Sequence, residues 1–297
     1  MATVRLFEYA AHAHIYSKYR PTYPIAVVEA ITSYVTRLGG SLGHALDVAC
    51  GSGQSTFYLK DTFKLITGVD ISKAQLEEAK SKCQKENIDN IQFLTGSGME
   101  LPVESESVDV VTIAQALHWL DIDKFFTECK RVLKPRGCVA VYGYGNVCLI
   151  NKQCNELVSN FYSNTLQGCW HDARHHIDEE YRSIHMPFSN TQRIDTSMPY
   201  ETSLDAFIGY VSTWSGYQKY CEDHPKNTVL EDMKATMREI LESGNQMKQH
   251  LASKECEGKP SSVDSNDSSI QLQQGRGCEN IKLEAYFPLF ILLGQKT

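Results

Sequence analysis

The stretch ALDVACGSGQST (45–56) sets Asp47 four residues before Gly51 and six before Gly53, and a second acid, Asp70, follows Gly51 by 19 residues. Glycines let a backbone turn tightly and lie close to a ligand. A carboxylate at the end of the following strand can accept hydrogen bonds from both hydroxyls of a ribose. Asp47 suits a cationic ligand and is out of place beside a pyrophosphate. Thr56 stands where a nicotinamide fingerprint has its third glycine, and no lysine has the spacing of a P-loop. S-adenosylmethionine, with a sulfonium, an ammonium and a ribose, matches both acids.

Further along, Gln115, His118 and Trp119 close an apolar run. His118 reads either as a structural hydrogen-bonding residue or as a general base; Trp119 reads as a packing wall. In the N-terminal segment, Tyr16, Tyr19 and Arg20 either position the helix that begins at Pro24 or fold over a ligand. Arg20 is suited to a bidentate clamp on a carboxylate, and Arg174, Arg182 and Arg193 are further candidates to hold an anion. His171, His175, His176 and His185 form a tempting cluster with an i,i+4 pair. No cysteine or carboxylate completes a zinc pattern, so no metal is expected, and surface or pocket roles are the better reading. Trp214 with Tyr210 and Tyr217 reads as a core aromatic face.

These residues need a scaffold. HALDVA (44–49), KLITGVD (64–70), NIQFLTG (90–96), SVDVVTIAQA (107–116) and GCVAVYGYG (137–145) are short apolar runs that read as buried strands. Helical patterns separate them. A helix is expected to open directly after Gly53 and offer its N-terminal N–H groups to a ligand. Residues 24–38 carry Val27, Val28, Ile31, Val35 and Leu38 on one face, with Thr22 as cap. Ser72 and Gln75 form a capping box, and Asp123 is a candidate cap for DKFFTECKRVL. Alternation of this kind predicts a parallel sheet with helices on both faces.

The domain reading is an N-terminal lid and helix (1–40), a cofactor-binding core (41–145), a helical cap or substrate region (146–252), a disordered insertion (253–280) and a C-terminal strand returning to the sheet (281–297). In the cap, Thr228 and Glu231 suggest another capping box, with Leu230, Met233, Met237, Ile240 and Leu241 as its apolar stripe.

The chain has 297 residues and a net charge of -7, without a dense basic stripe, so nucleic acid is not an expected partner. Its apolar runs are too short to span a membrane. Ten scattered cysteines without a CxxC fit reduced thiols and a cytoplasmic location.

LDVACGSG, GVDIS (68–72), GSGMELPVESESVDVVTIAQALHWLD (96–121) and RVLKPRG (131–137) resemble the class I S-adenosylmethionine-dependent methyltransferases. The AQALHW and YRPTYP patterns, with YVSTWSGYQKY (210–220), resemble the trans-aconitate methyltransferase branch and its animal and fungal relatives. The resemblance implies an α/β, doubly wound, mostly parallel seven-stranded Rossmann-like sheet with a helical cap inserted after strand five. It implies that Asp47, Gly51 and Gly53 contact the methionine part of S-adenosylmethionine. Asp70 would hold the ribose, Ile71 would pack on adenine, and Gln115, His118 and Trp119 would lie beside methyl donor and acceptor. Ala49 replaces a frequent glycine, and Ser97 replaces a frequent aspartate that meets the adenine amino group. The expected activity is methyl transfer to a small molecule, O-methylation of a carboxylate or hydroxyl, by a monomer or weak dimer. The acceptor is expected to be anionic, with Tyr16, Tyr19, Arg20 and Trp119 on its side and His118 and Gln115 as catalytic candidates. The alternatives are a nicotinamide-dependent oxidoreductase and a catalytically silent cofactor-binding protein.

Overall fold

The computed structural model describes residues 19–256 and 281–297; Tyr16 and the stretch 257–280 lie outside them. Eight strands make one sheet: β1 (His44–Val48), β2 (Leu65–Asp70), β3 (Ile91–Thr95), β4 (Val108–Ala114), β5 (Leu133–Tyr144), β6 (Cys148–Leu149), β7 (Ser189–Ser203) and β8 (Lys282–Gln295). The pairs β3–β2, β2–β1, β1–β4 and β4–β5 are parallel. β8 runs antiparallel to β5, pairing Leu289–Leu293 with Ala140–Tyr144. Those same residues pair with Gln192–Thr196 of β7, so β5 and β7 flank β8 on opposite edges. The two-residue β6 also pairs with β8.

Why the apolar runs are continuous follows from burial on both faces. Alternate residues of the central strands fall into two separate cores: Ala45, Val110, Ala140 and Ile291 in one, Leu46, Val111, Val139 and Phe290 in the other. Helix α1 (Ile25–Arg37) and helix α2 (Lys73–Glu86) cover the first face. Helix α3 (Ile122–Val132) covers the second, burying Phe125, Phe126, Cys129 and Val132. Ser72 caps α2, accepting from Gln75 N–H at 3.4 Å.

Several expectations need correction. After Gly53 there is only a four-residue 3-10 turn, Thr56–Leu59, because Thr56 turns its hydroxyl inward and Phe57 and Leu59 are drawn into the core. No helix N-terminus faces the ligand there. The cap of α1 is Pro24, without a side-chain bond, so Thr22 plays no such part. Asp121 caps α3, and Asp123 sits in its first turn. Thr228 donates its hydroxyl to Asp232 instead of capping through Glu231.

The region after β5 is not purely helical. It holds α4 (Lys152–Asn160), α5 (His175–Asp178), α6 (Leu204–Ser212), α7 (Ser215–Asp223) and α8 (Val229–Cys256), but also the 15-residue β7. The sequence of β7, SNTQRIDTSMPYETS, hides a strand because it forms a sheet edge, where Met198 alone is fully buried. Helix α8 extends to Cys256, so it takes the first residues of the stretch expected to be disordered. Tyr210 and Trp214 are buried and Tyr217 packs beside them, a core role as expected.

Candidate active site

In the order β3-β2-β1-β4-β5, successive strands are added toward one side of the sheet up to β3 and toward the other from β4, so the winding switches between β1 and β4. Doubly wound sheets bind ligands at the carboxyl ends of strands on either side of such a switch. A cavity of about 1530 Å³ opens there, lined by Asp47, Ala49, Gly51, Asp70, Ile71, Ser97, Gln115, His118 and Trp119 among others. Single small-ligand sites run to roughly 300–1,000 Å³, so this space can take two ligands together.

The loop leaving β1 is left-handed at three alternate positions: Ala49 (φ 53°), Gly51 (φ 56°) and Gly53 (φ 83°). Glycine adopts this freely, whereas a Cβ at Ala49 makes it strained. The turn aims Gly51 N–H at Asp70 Oδ2, 2.8 Å away, while Ser72 N–H donates to Oδ1 at 2.8 Å. Two backbone amides thus fix the Asp70 carboxylate at the cavity edge and leave it lone pairs for further hydrogen bonds. Gly53 does not line the cavity; its N–H donates to Cys50 and its open face receives the Phe57 ring.

Asp47 is fully buried and accepts from Thr56 Oγ1 (2.6 Å) and Thr112 Oγ1 (2.7 Å). Burial pushes its carboxyl up to about 6, against the pull of the two hydroxyls. A cation in the cavity would stabilise its charged form. Thr56 and Thr112 were not legible as partners, since each is an ordinary threonine until the fold brings it to Asp47. Five carboxylates line the cavity (Asp47, Asp70, Glu78, Asp121, Asp123) against one lysine, Lys124. Cationic ligands are favoured by this balance.

Also lining the cavity, Ile71 and Met99 remain 48% and 37% exposed, apolar surface that a planar ring can cover. The Ser97 hydroxyl accepts from Met99 N–H at 3.1 Å. Gln115 (φ 52°) bonds Tyr144 twice, donating to its carbonyl at 2.9 Å and accepting from its N–H at 2.7 Å. Its amide therefore ties β4 to β5 while its flank borders the cavity.

The other end is aromatic. His118 follows β4 in the 3-10 turn Leu117–Trp119, with Trp119 between it and His171 at ring-centroid distances of 4.5 and 5.3 Å. His171, His176 and His185 border the cavity, whereas His175 stacks on His176. Among the described residues, no group of three or more ligating side chains could hold a metal ion.

The basic residues expected to clamp an anion lie elsewhere. Arg20 donates to the Thr213 hydroxyl at 2.9 Å and lies over the Tyr210 ring; Tyr19 packs on Gly209. Arg174 donates to Tyr162 and Asn146, and Arg182 and Arg193 pair with Glu180 and Asp195. None of these residues borders the cavity; of the three expected acceptor-side residues that the structure describes, Tyr19, Arg20 and Trp119, Trp119 is the one placed there.

An acidic cavity with a backbone-clamped aspartate thus lies at the switch point of a doubly wound sheet, where folds of this class bind nucleotide-like ligands. A methyltransferase domain model matches residues 46–141. A Dictyostelium discoideum chain classed with the methyltransferases is 33% identical over 75% of this chain and 81% of its own length. A Saccharomyces cerevisiae chain described as an S-adenosylmethionine-dependent methyltransferase is 25% identical over 73% and 84%. The solved structure of a type II methyltransferase from Anaeromyxobacter dehalogenans shares the fold, with a TM-score of 0.68 at 23% identity over 93% of this chain and 97% of that one. The chain belongs to the class I S-adenosylmethionine-dependent methyltransferases, and S-adenosylmethionine is its cofactor. That membership sets aside the nicotinamide alternative. The eight-stranded sheet extends the seven expected.

Proposed function

We propose that this enzyme methylates an oxygen of a small molecule, a carboxylate or a hydroxyl, held at the aromatic end of the cavity. The observation that carries the reading is one continuous cavity with an acidic end and an aromatic, imidazole-lined end. Asp70 would accept from the ribose hydroxyls, Asp47 would sit behind the positive charge of the cofactor, and Ile71 and Met99 would cover the adenine. When bound, S-adenosylmethionine supplies a methyl group already activated on sulfur. The protein's task is then alignment and exclusion of water. His118 and Trp119 orient the acceptor, and Gln115 holds the ends of β4 and β5 in fixed register beside them.

The AQALHW and YRPTYP patterns support placing the chain near the trans-aconitate methyltransferase branch, which favours an anionic acceptor. With the expected arginines outside the cavity, that preference would rest on Lys124 and on hydrogen-bond donors. Eight described cysteines are unbridged, in keeping with a cytoplasmic location, and no helix among the described residues is long and apolar enough to cross a membrane.

The test is transfer of labelled methyl to small carboxylic acids, phenols, alcohols and amines, alongside thermal unfolding with each nucleotide. S-adenosylmethionine at a hundred times its Kd should stabilise the fold by about 2.7 kcal/mol, and NAD should not. Label appearing only on nitrogen acceptors, or on protein, would sink the O-methylation reading.

A further inference from the structure

We propose that His118 acts on the acceptor as a fixed hydrogen-bond donor through Nε2–H, that Tyr181 is the positioning residue that sets this tautomer, and that the acceptor is a carboxylate. The inference rests on the methyl-transfer reading above and narrows its acceptor class.

The Tyr181 side chain is fully buried and does not border the cavity. Glu180 and Tyr181 are both left-handed (φ 52° and 57°), a costly pair for residues with side chains, and the turn seats the phenol under the β4 edge. Its hydroxyl lies 2.7 Å from His118 Nδ1 and receives the His118 backbone N–H at 3.4 Å. Among the described residues, Nδ1 is the acceptor within reach of the phenolic hydrogen. If Nδ1 carried the proton instead, that hydrogen would be buried without a partner, which folded proteins avoid. The tyrosine therefore donates, Nδ1 accepts, and the ring proton sits on Nε2.

His118 itself borders the cavity beside Trp119. The charged and titratable groups facing it are Arg174, His176 and His171, together with the Tyr181 phenol. Burial first, and then the positive charge of these neighbours, pushes its pKa down to about 3. A ring already protonated on the nitrogen remote from Tyr181, and resistant to a second proton, cannot remove one from a hydroxyl or ammonium. It can hold an oxygen that needs no deprotonation. A carboxylate meets that requirement at neutral pH. Its oxygen lone pair forms the new O–CH₃ bond as the C–S bond breaks, and that electron pair returns to sulfur. The products are a methyl ester and S-adenosylhomocysteine, with no proton transferred.

The direct test is ¹⁵N NMR of histidine-labelled protein, with His118 assigned by its absence in His118→Gln. The proposal requires the Nε2–H tautomer, unchanged from pH 8 to 5.5, and its loss to a mixture in Tyr181→Phe. An Nδ1–H tautomer, or an imidazolium forming above pH 6, overturns it. In labelled-methyl assays on the acid, phenol, alcohol and amine panel, carboxylates should be the acceptors, with kcat/KM flat from pH 6 to 9. His118→Ala should lose at least a hundredfold, and His118→Gln, whose amide can donate from the Nε2 position, should recover to within tenfold of the parent. Equal loss in both variants overturns the donor role, and transfer to an alcohol or amine in place of carboxylates overturns the acceptor class. Calorimetric binding of S-adenosylmethionine separates the two readings: its failure with the tautomer intact removes the methyl-transfer reading and not the tyrosine–histidine assignment.

Discussion

Asp47 keeps both carboxylate oxygens on threonine hydroxyls in a site closed to solvent, yet it borders a cavity built for a cation. In the unfolded chain its pKa is near 3.8; in the fold it is about 6. Between those values the folded state holds more protons than the unfolded one, so this group's contribution favours folding as pH falls from 7 to 4, by at most about 3 kcal/mol relative to Asp47→Asn. Denaturant titration of both proteins across that range checks it. Cofactor affinity should move the other way. A cation prefers the ionised carboxylate, so the Kd for S-adenosylmethionine should be up to about tenfold weaker at pH 5 than at pH 7.5 by calorimetry. Asp70→Ala should weaken the same binding by roughly 1.5–3 kcal/mol; unchanged affinity would exclude the ribose role. Asp47 and Asp70 were readable because strand, loop and acid fall in fixed order. The Thr112 hydroxyl on Asp47 and the phenol on His118 were not, since those bonds join residues 65 and 63 positions apart.

At the scale of elements, legibility follows how many faces an element buries. β1, β2, β4 and β5 are apolar on both faces and stood out as runs. β7 is polar along nearly its whole length, so its sequence reads as part of a helical region. Its place is fixed by pairing with β8 and by the inward-facing Met198, 4% exposed. Met198→Ala should therefore cost about 2–5 kcal/mol in denaturant unfolding. The same change at the exposed Thr196 should stay within about 0.5 kcal/mol. Similar losses at both would mean that β7 is held by its backbone alone. The turn after Gly53 departs from the expected helix for a related reason: glycine-rich loops often lead into helices, but here Thr56 is captured by Asp47.

For the molecule as a whole, the expected boundary between core and cap does not divide the hydrophobic interior. One cluster contains Val28 and Tyr34 of α1, Ala140 and Tyr142 of β5, Phe207 of α6, Met237 of α8 and Phe287 of β8. Shared packing of this kind couples the parts, so scanning calorimetry should record a single unfolding transition. Two resolved transitions, one lost on deleting 146–252, would show the cap to be an independent unit.

The position of β8 has a consequence for synthesis. Of the eight strands described, it leaves the ribosome last, yet it separates β5 from β7 and satisfies an edge of each. Until it emerges, the nascent sheet carries two open edges, and that of β5 includes the apolar Val139–Tyr144. Unpaired apolar edges are templates for association with other chains. Until β8 is made, the translating polypeptide is therefore open to such association along β5, whose last residue, Tyr144, also lines the cavity.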